Sequence, residues 1–322
     1  MRIRRAGRGV VAVLAVACLA LAGSQTALAQ VKLQYKFPEG KTLKYRTSSN
    51  AFQVLMGLGM EIQSGERRTV VQSQAIGKRR SDSSLPVVVK VESLRADLRF
   101  FGGTRLTYDS TKPDPPIADP DFAPLVDVYK LESQVAYTVV LDRQNRVKAI
   151  EGTETLREKA DKLDPVSRDQ IRSRIEAEPL KVQFEQAHRN LPDGPARPGE
   201  SWERTEVADF GGQALSFRKT YEYAGTEKKG NTTLDKITSK VLEVKCQIDS
   251  HSQAPLKVTK SDLKVDSSEG TILFDREAGL LVESREQTKL KGTMTFSGGG
   301  TDTSSQTELN LQSNTQLQST AK

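Results

Sequence analysis

The chain has 322 residues, of which 48 are Lys or Arg and 41 are Asp or Glu, and 36 % of its residues are hydrophobic. Mixed charge signs and plentiful β-branched residues exclude a disordered composition, and the length favours two domains. Two Cys and two His leave little material for a zinc site, a disulfide framework or a histidine-based active site. We therefore expect no metal and no cofactor.

The first 29 residues are typical of an export signal. Four Arg within Met1–Arg8 precede an uncharged run of about 14 residues, and Ala27-Leu28-Ala29 follows. This pattern predicts a signal peptide over 1–29 and a protein exported to the periplasm or the extracellular space. The run is too short for a membrane span. The alternative is a lipid anchor on Cys18, because Ala15-Val16-Ala17-Cys18 resembles a lipobox.

Export changes the charge of the protein. Removal of the four Arg of the leader lowers the net charge from +7 to +3. So small a charge gives no basis for a nucleic-acid partner, which a strong basic patch would indicate. We expect none.

The next segment shows the alternation of a β-strand. Its apolar residues lie at every second position, so they would share one face of a single long strand. They are Phe52, Val54, Met56, Leu58, Met60 and Ile62.

Two further stretches show the same period. From Val87 to Phe100 the apolar parity switches once, which predicts a β-bulge near Glu92-Ser93. Leu242, Val244 and Cys246 alternate with charged or polar residues. Strands with one apolar face are typical of antiparallel sheets.

One stretch, 153–190, departs from this period. Asp164-Pro165 is a helix start, with Asp as N-cap and Pro in the first helical position. Ile171 and Ile175 lie one turn apart, and Pro179 divides the stretch into two helical pieces. We interpret 153–190 as a helical connector between two β-rich halves.

The two halves resemble each other. Asp142-Arg143 and Asp275-Arg276 each lie between apolar runs, which predicts two similar hairpins. The predicted fold is mainly β with a helical connector (α+β), in two pseudo-symmetric curved antiparallel sheet domains, 30–152 and 191–312. The polar tail, 313–322, is predicted to be disordered.

Several short motifs resemble an uncharacterised family of exported bacterial proteins, known as a domain of unknown function. They are the leader, the opening Tyr35–Gly40, the Tyr108-Asp109-Ser110 step and the paired Asp hairpins. The resemblance implies a β-rich protein outside the cytoplasm. It implies no catalytic residues.

Motifs for catalysis are missing. The sequence has no Gly-x-Ser-x-Gly, no His-Glu-x-x-His and no phosphate loop. His188 ends a predicted helix, where the helix dipole favours its charged form, and His251 lies in a loop. Cys246 is predicted to be a buried, unreactive thiol. The acidic loop Asp114–Asp121 lacks the spacing and the glycine of an EF-hand. We expect that the protein is not an enzyme.

The apolar face Phe52–Ile62 is the candidate ligand-lining surface, since Met suits adaptable apolar surfaces. The leading hypothesis is a non-enzymatic envelope protein with a structural or binding role, whose partner is an envelope protein. The alternative is an extracytoplasmic carrier or sensor of a hydrophobic, lipid-like ligand. A third possibility is a carboxylate-based hydrolase of envelope polysaccharide. The oligomeric state is not predicted.

Overall fold

The structure is a computed structural model that describes residues 30–57, 60–114, 120–172, 174–210, 213–247, 257–298 and 301–321. The predicted signal peptide, with Cys18, and the His251 loop lie outside these residues. The described residues form twelve strands: β1 Thr42–Gly57, β2 Met60–Ile76, β3 Leu85–Arg99, β4 Arg105–Asp109, β5 Ala136–Leu141, β6 Val147–Glu151, β7 Ser201–Phe210, β8 Gln213–Lys229, β9 Thr232–Gln247, β10 Lys257–Asp275, β11 Leu280–Gly298 and β12 Thr301–Ala321.

Four α-helices accompany the strands. They are α1 Ala123–Ser133, α2 Glu154–Ala160, α3 Pro165–Arg172 and α4 Ala177–Ala187. Two short 3₁₀ turns lie at Phe101–Gly103 and Pro120–Phe122. Within the described ranges, no helix has both the length and the apolar character that crossing a membrane requires.

All strands belong to one open, curved antiparallel sheet. Its order is β6-β5-β3-β2-β1-β12-β11-β10-β9-β8-β7, with β4 beside β3. The predicted mainly-β fold with a helical connector is confirmed. The two halves do not form separate sheets, however, because β1 pairs with β12 from Thr42↔Ala321 to Met56↔Gln306. The predicted pseudo-symmetric repeat is not confirmed.

The prediction of a disordered tail is wrong as far as Ala321. Residues 313–321 are the end of β12, and those from Ser313 to Gln316 pair with β1 on one side and β11 on the other. Strand pairing uses backbone N–H and C=O groups, which every residue except proline provides. A polar sequence can therefore form a central strand when both neighbours are present.

Several local predictions are confirmed. The register between β2 and β3 shifts where Val71↔Ser93 is followed by Gln72↔Val91, so Glu92 is the extra residue of a bulge. Both Asp-Arg motifs lie in hairpin turns, between β5 and β6 and between β10 and β11.

The alternation in β9 is interrupted by a second bulge. The register between β8 and β9 shifts between Arg218 and Lys219, opposite Glu243 and Val241. Leu242 is the extra residue and is 44 % exposed, while Val241 is buried. The predicted face of Leu242, Val244 and Cys246 is therefore wrong at Leu242, because one inserted residue reverses the parity of the strand.

The helical connector forms as predicted from its capping residues. Asp164 Oδ1 accepts the backbone N–H groups of Val166 at 3.0 Å and Ser167 at 3.1 Å, so Asp164 caps α3. Pro179 does not separate the helices, since it lies in the first turn of α4, where its missing N–H costs nothing. The break lies between Arg172 and Ala177.

Among the described residues, the helices pack mainly on the first half of the sheet. Side chains of α1 to α4 pack with β3 and β5 in one buried cluster that includes Val87, Val139, Val128, Ile171 and Phe184. A second buried cluster in the other half, which we call the distal cluster, contains only strand residues, from β8 to β12. The candidate site lies against it.

Candidate ligand-binding cavity

A cavity of about 740 Å³ is lined by nine strands, β1 to β3 and β7 to β12, together with Arg174 ahead of α4. Its volume lies within the range of small-molecule sites, about 300–1,000 Å³. The first half of the sheet forms one wall and the second half forms the other. The cavity thus depends on the pairing of β1 with β12, which holds the two halves in one sheet.

The distal cluster forms the apolar wall of this cavity. Six of its buried members line the cavity: Leu215, Phe217, Val241, Val258, Met294 and Leu309. Phe296 and Leu311, which are partly buried, extend the same wall. Among the described residues of this cluster none comes from a helix. These apolar side chains therefore form a wall of the cavity.

The opposite wall carries a charged group around Glu132. This residue lies on α1 and is 7 % exposed. Its carboxylate pairs with the guanidinium groups of Arg68 and Arg174, the latter at 2.6 Å between Nη1 and Oε2. The pKa of Arg68 is lowered to about 10, mainly by burial and to a lesser extent by the positive charge of Arg174. Two cationic groups thus share one buried carboxylate at the cavity wall.

A second charged group lies on β7, β8 and β11. Lys219 Nζ lies 2.7 Å from Glu206 Oε2 and 2.9 Å from Glu286 Oε2. Burial opposes the charged form of Lys219, but the two carboxylates outweigh it and raise the pKa of the amine. The Tyr221 hydroxyl also donates to Glu206. All three charged residues line the cavity.

The predicted ligand-lining residues do not form one strand. β1 ends at Gly57 and β2 begins at Met60, and these two residues pair across a hairpin. In the sequence, apolar residues occupy every second position across this turn as well, so the pattern gives no sign of a hairpin. Leu58 lies outside the described residues. The described members, Phe52, Val54, Met56, Met60 and Ile62, are not among the residues that line the cavity, whereas Ala51 and Gln53, of opposite parity, are.

The two methionines lie at the exposed end of this hairpin. Met56 is 40 % exposed and Met60 is 55 % exposed. We expect the double variant Met56→Asp/Met60→Asp to fold, with a change in the free energy of unfolding below about 1 kcal/mol, as for surface substitutions. Urea denaturation measures this change. A loss of several kcal/mol would show that the hairpin end is core.

His188 is half-buried among aromatic rings at the end of α4. Its ring centroid lies 4.3 Å from that of Phe184, 4.8 Å from Tyr35 and 5.3 Å from Phe37. Nδ1 lies 2.7 Å from the carbonyl oxygen of Phe184. Burial lowers its pKa to about 4. The predicted position is confirmed, but the expected charged form is wrong because burial outweighs the helix dipole.

The stability of the protein is expected to depend on this imidazole. The unfolded state, with a pKa near 6.5, binds the proton before the folded state does, so stability falls as the pH drops from about 6.5 to about 4. The loss is at most about 3 kcal/mol. The measurement is the urea midpoint at pH 7.5 and pH 4.5 for the wild type and His188→Phe. The phenylalanine variant should lose less, and equal losses would contradict the prediction.

Cys246 is half-buried on β9 and packs against the distal cluster. Burial raises the pKa of its thiol. A raised pKa keeps the thiol protonated and weakly nucleophilic. No group of three or more His, Cys, Asp or Glu in the described part of the chain is arranged to hold a metal ion.

The charged cavity residues were not predicted from the sequence. Arg68, Arg174 and Lys219 lie on separate elements, and neither their spacing nor their neighbours form a motif. Only the register of the sheet brings them to one cavity.

A family model supplies the relationship that short motifs could only indicate. It describes a family of unknown function and matches residues 82–281. The chain belongs to this family, DUF6263. The match extends from the residues before β3 to the start of β11, and it confirms the predicted membership in a family of unknown function. No curated protein matches the sequence of this DUF6263 member.

Several solved structures align with most of this chain, at low TM-scores. A lipovitellin structure is 9 % identical with a TM-score of 0.46 and covers 89 % of this chain, which spans only 26 % of the lipovitellin chain. A protein with a YmcC-like fold from Bacteroides fragilis, described as exported, is 8 % identical, with a TM-score of 0.24 and coverage of 91 % and 100 %. DynF from Micromonospora chersina is 8 % identical, with a TM-score of 0.19 and coverage of 89 % and 85 %. At these scores none of them assigns a function.

Proposed function

We propose that this protein is a non-enzymatic, exported carrier that binds a lipid-like molecule in the 740 Å³ cavity. The observation that carries the proposal is the apolar wall of the cavity, which the described strands β8 to β12 form. The predicted signal peptide, 1–29, supports a location outside the cytoplasm.

The energetics of an apolar ligand support this choice. Burial of one CH₂ group gains about 0.8 kcal/mol, so about ten buried CH₂ groups gain about 8 kcal/mol before the costs of association. The wall offers Leu, Val, Phe and Met side chains to such a chain. A polar ligand of the same size would leave these side chains without apolar contact.

The hydrolase is the weaker candidate. It needs one carboxyl group that can donate a proton to a leaving group. Glu206 and Glu286 both form ion pairs with Lys219, which lies between them and favours their charged, proton-free forms.

A screen of glycan and ester substrates tests the non-enzymatic assignment. Turnover that disappears in Glu206→Gln or Glu286→Gln would overturn it.

Native mass spectrometry of protein from the export compartment, followed by lipid extraction, tests the carrier. Ala51 lines the cavity from β1. Val88 on β3 is 44 % exposed and is not among the residues that line the cavity, so it provides the matched control. We expect lipid in the wild type and in Val88→Trp, and its loss in a folded Ala51→Trp variant, whose indole occupies the cavity.

Two outcomes would contradict the carrier. Wild-type protein without lipid would leave a structural or protein-binding role as the better explanation. Lipid retained by Ala51→Trp would place the ligand elsewhere.

A further inference from the structure

The cavity changes from apolar to charged along its strands. On β8 the lining residues run Leu215, Phe217, Lys219, and on β11 they run from Met294 to Glu286. Alternate residues of a strand share a face and lie about 7 Å apart, so the apolar and charged parts follow one another along the strand direction. Such a gradient fits an amphiphile that lies along the strands with its head at the charged part.

The sign of the head follows from the two charged walls. On the wall of the first half, Arg68, Arg99 and Arg174 line the cavity with one carboxylate, Glu66, while Glu132 lies behind them. On the other wall one amine, Lys219, lies between two carboxylates. The first wall therefore has an excess of positive charge and the second an excess of negative charge. An anionic head group is therefore attracted to the first wall, which carries the three arginines.

The arrangement of Arg68 and Arg174 suits an anion with several oxygens. Each guanidinium has five N–H donors, and one carboxylate has about four acceptor positions. Both groups contact Glu132, and Glu66 lies 3.9 Å from Arg68 while it accepts the Tyr129 hydroxyl at 2.9 Å. Guanidinium groups bind carboxylates and phosphates through paired hydrogen bonds.

We infer that the ligand is an anionic amphiphile whose carboxylate or phosphate head binds between Arg68 and Arg174, while its apolar chain lies against the distal cluster. This inference rests on the proposed carrier function. It adds the charge and the orientation of the ligand. A carboxylate head and a phosphate head share the same chemistry, since each presents anionic oxygens at the end of one apolar chain.

Calorimetric titration with dodecanoate, dodecyl phosphate and dodecanol tests the inference, because the three share one chain. We expect at least one of the anions to bind about 10-fold or more tightly than the alcohol, as charge-assisted hydrogen bonds require. The preferred anion distinguishes a carboxylate from a phosphate head. In Arg174→Gln this preference should disappear, while Glu132 keeps its partner Arg68.

The matched control is Arg95→Gln. Arg95 lies on β3, pairs with Asp97 and is exposed, with 55 % of its side chain accessible. This variant should keep the full preference for the anion. Equal binding of all three compounds, or a preference that survives Arg174→Gln, would overturn the anionic head but leave the carrier intact. Failure of the wild type to bind any of them would overturn both.

Discussion

Replacing Arg276 with glutamine is expected to lower the free energy of unfolding by about 3 kcal/mol, because it leaves a buried carboxylate without its cation. Asp235 is 2 % exposed. It accepts Arg276 Nε at 2.9 Å and the Tyr223 hydroxyl at 2.8 Å. Guanidinium denaturation at pH 7 measures the loss.

The other Asp-Arg turn, Asp142-Arg143, provides the control. Arg143 holds the corresponding position after Asp142 and is exposed. Arg143→Gln should change the stability by less than about 0.5 kcal/mol, as surface substitutions do. The double variant Arg276→Gln/Asp235→Asn should recover part of the loss, since it removes the unpaired charge. Similar effects of the two arginine substitutions would show that the buried Asp235 carboxylate does not depend on Arg276, whose side chain is 38 % exposed.

Truncation of Phe274 to alanine should cost about 3–5 kcal/mol. Its side chain is 0 % exposed and packs with Tyr35, the ring centroids being 5.2 Å apart. Phe274 belongs to a buried cluster with Leu33 and Ile272. This cluster holds the segment before β1 against the second half of the sheet. Thermal or chemical unfolding of the single variant measures the cost.

Phe217 is the matched control, because it is also a buried phenylalanine but lines the cavity. Phe217→Ala should cost less than half as much in ligand-free protein. It enlarges an existing cavity and does not create a new one inside a packed core, and the cost of truncation grows with the cavity it leaves. Equal costs for the two truncations would show that the distal cluster is ordinary core.

The sequence predicted features whose cause is local. The cap at Asp164, the bulge at Glu92 and the two Asp turns each depend on a few consecutive residues, and all are present. The β1–β2 turn was missed because the apolar alternation of Met56, Leu58 and Met60 continues across it in the sequence. Helix α1 was missed as well, although Val126, Val128 and Leu131 are buried.

The cavity could not be predicted, because its parts are distant in the sequence. Arg68 on β2 and Lys219 on β8 are brought to it by the order of the sheet. Amphipathic strands also have the same sequence pattern whether their apolar face meets a helix or a ligand. Whether an apolar face meets a helix or a ligand depends on the strand register and on where the helices pack, and both are properties of the complete fold.

The central pairing of β1 with β12 determines when the sheet can be completed. Thr47 lies opposite Thr315, and their side-chain oxygens are 3.0 Å apart although 268 positions separate them in the sequence. Contacts so distant in sequence form slowly, because the loop that they close is long. Until β12 is in place, the edges of β1 and β11 are unpaired, and unpaired edges are templates for aggregation. Addition of β12 therefore closes two such edges in one step, independent of any ligand.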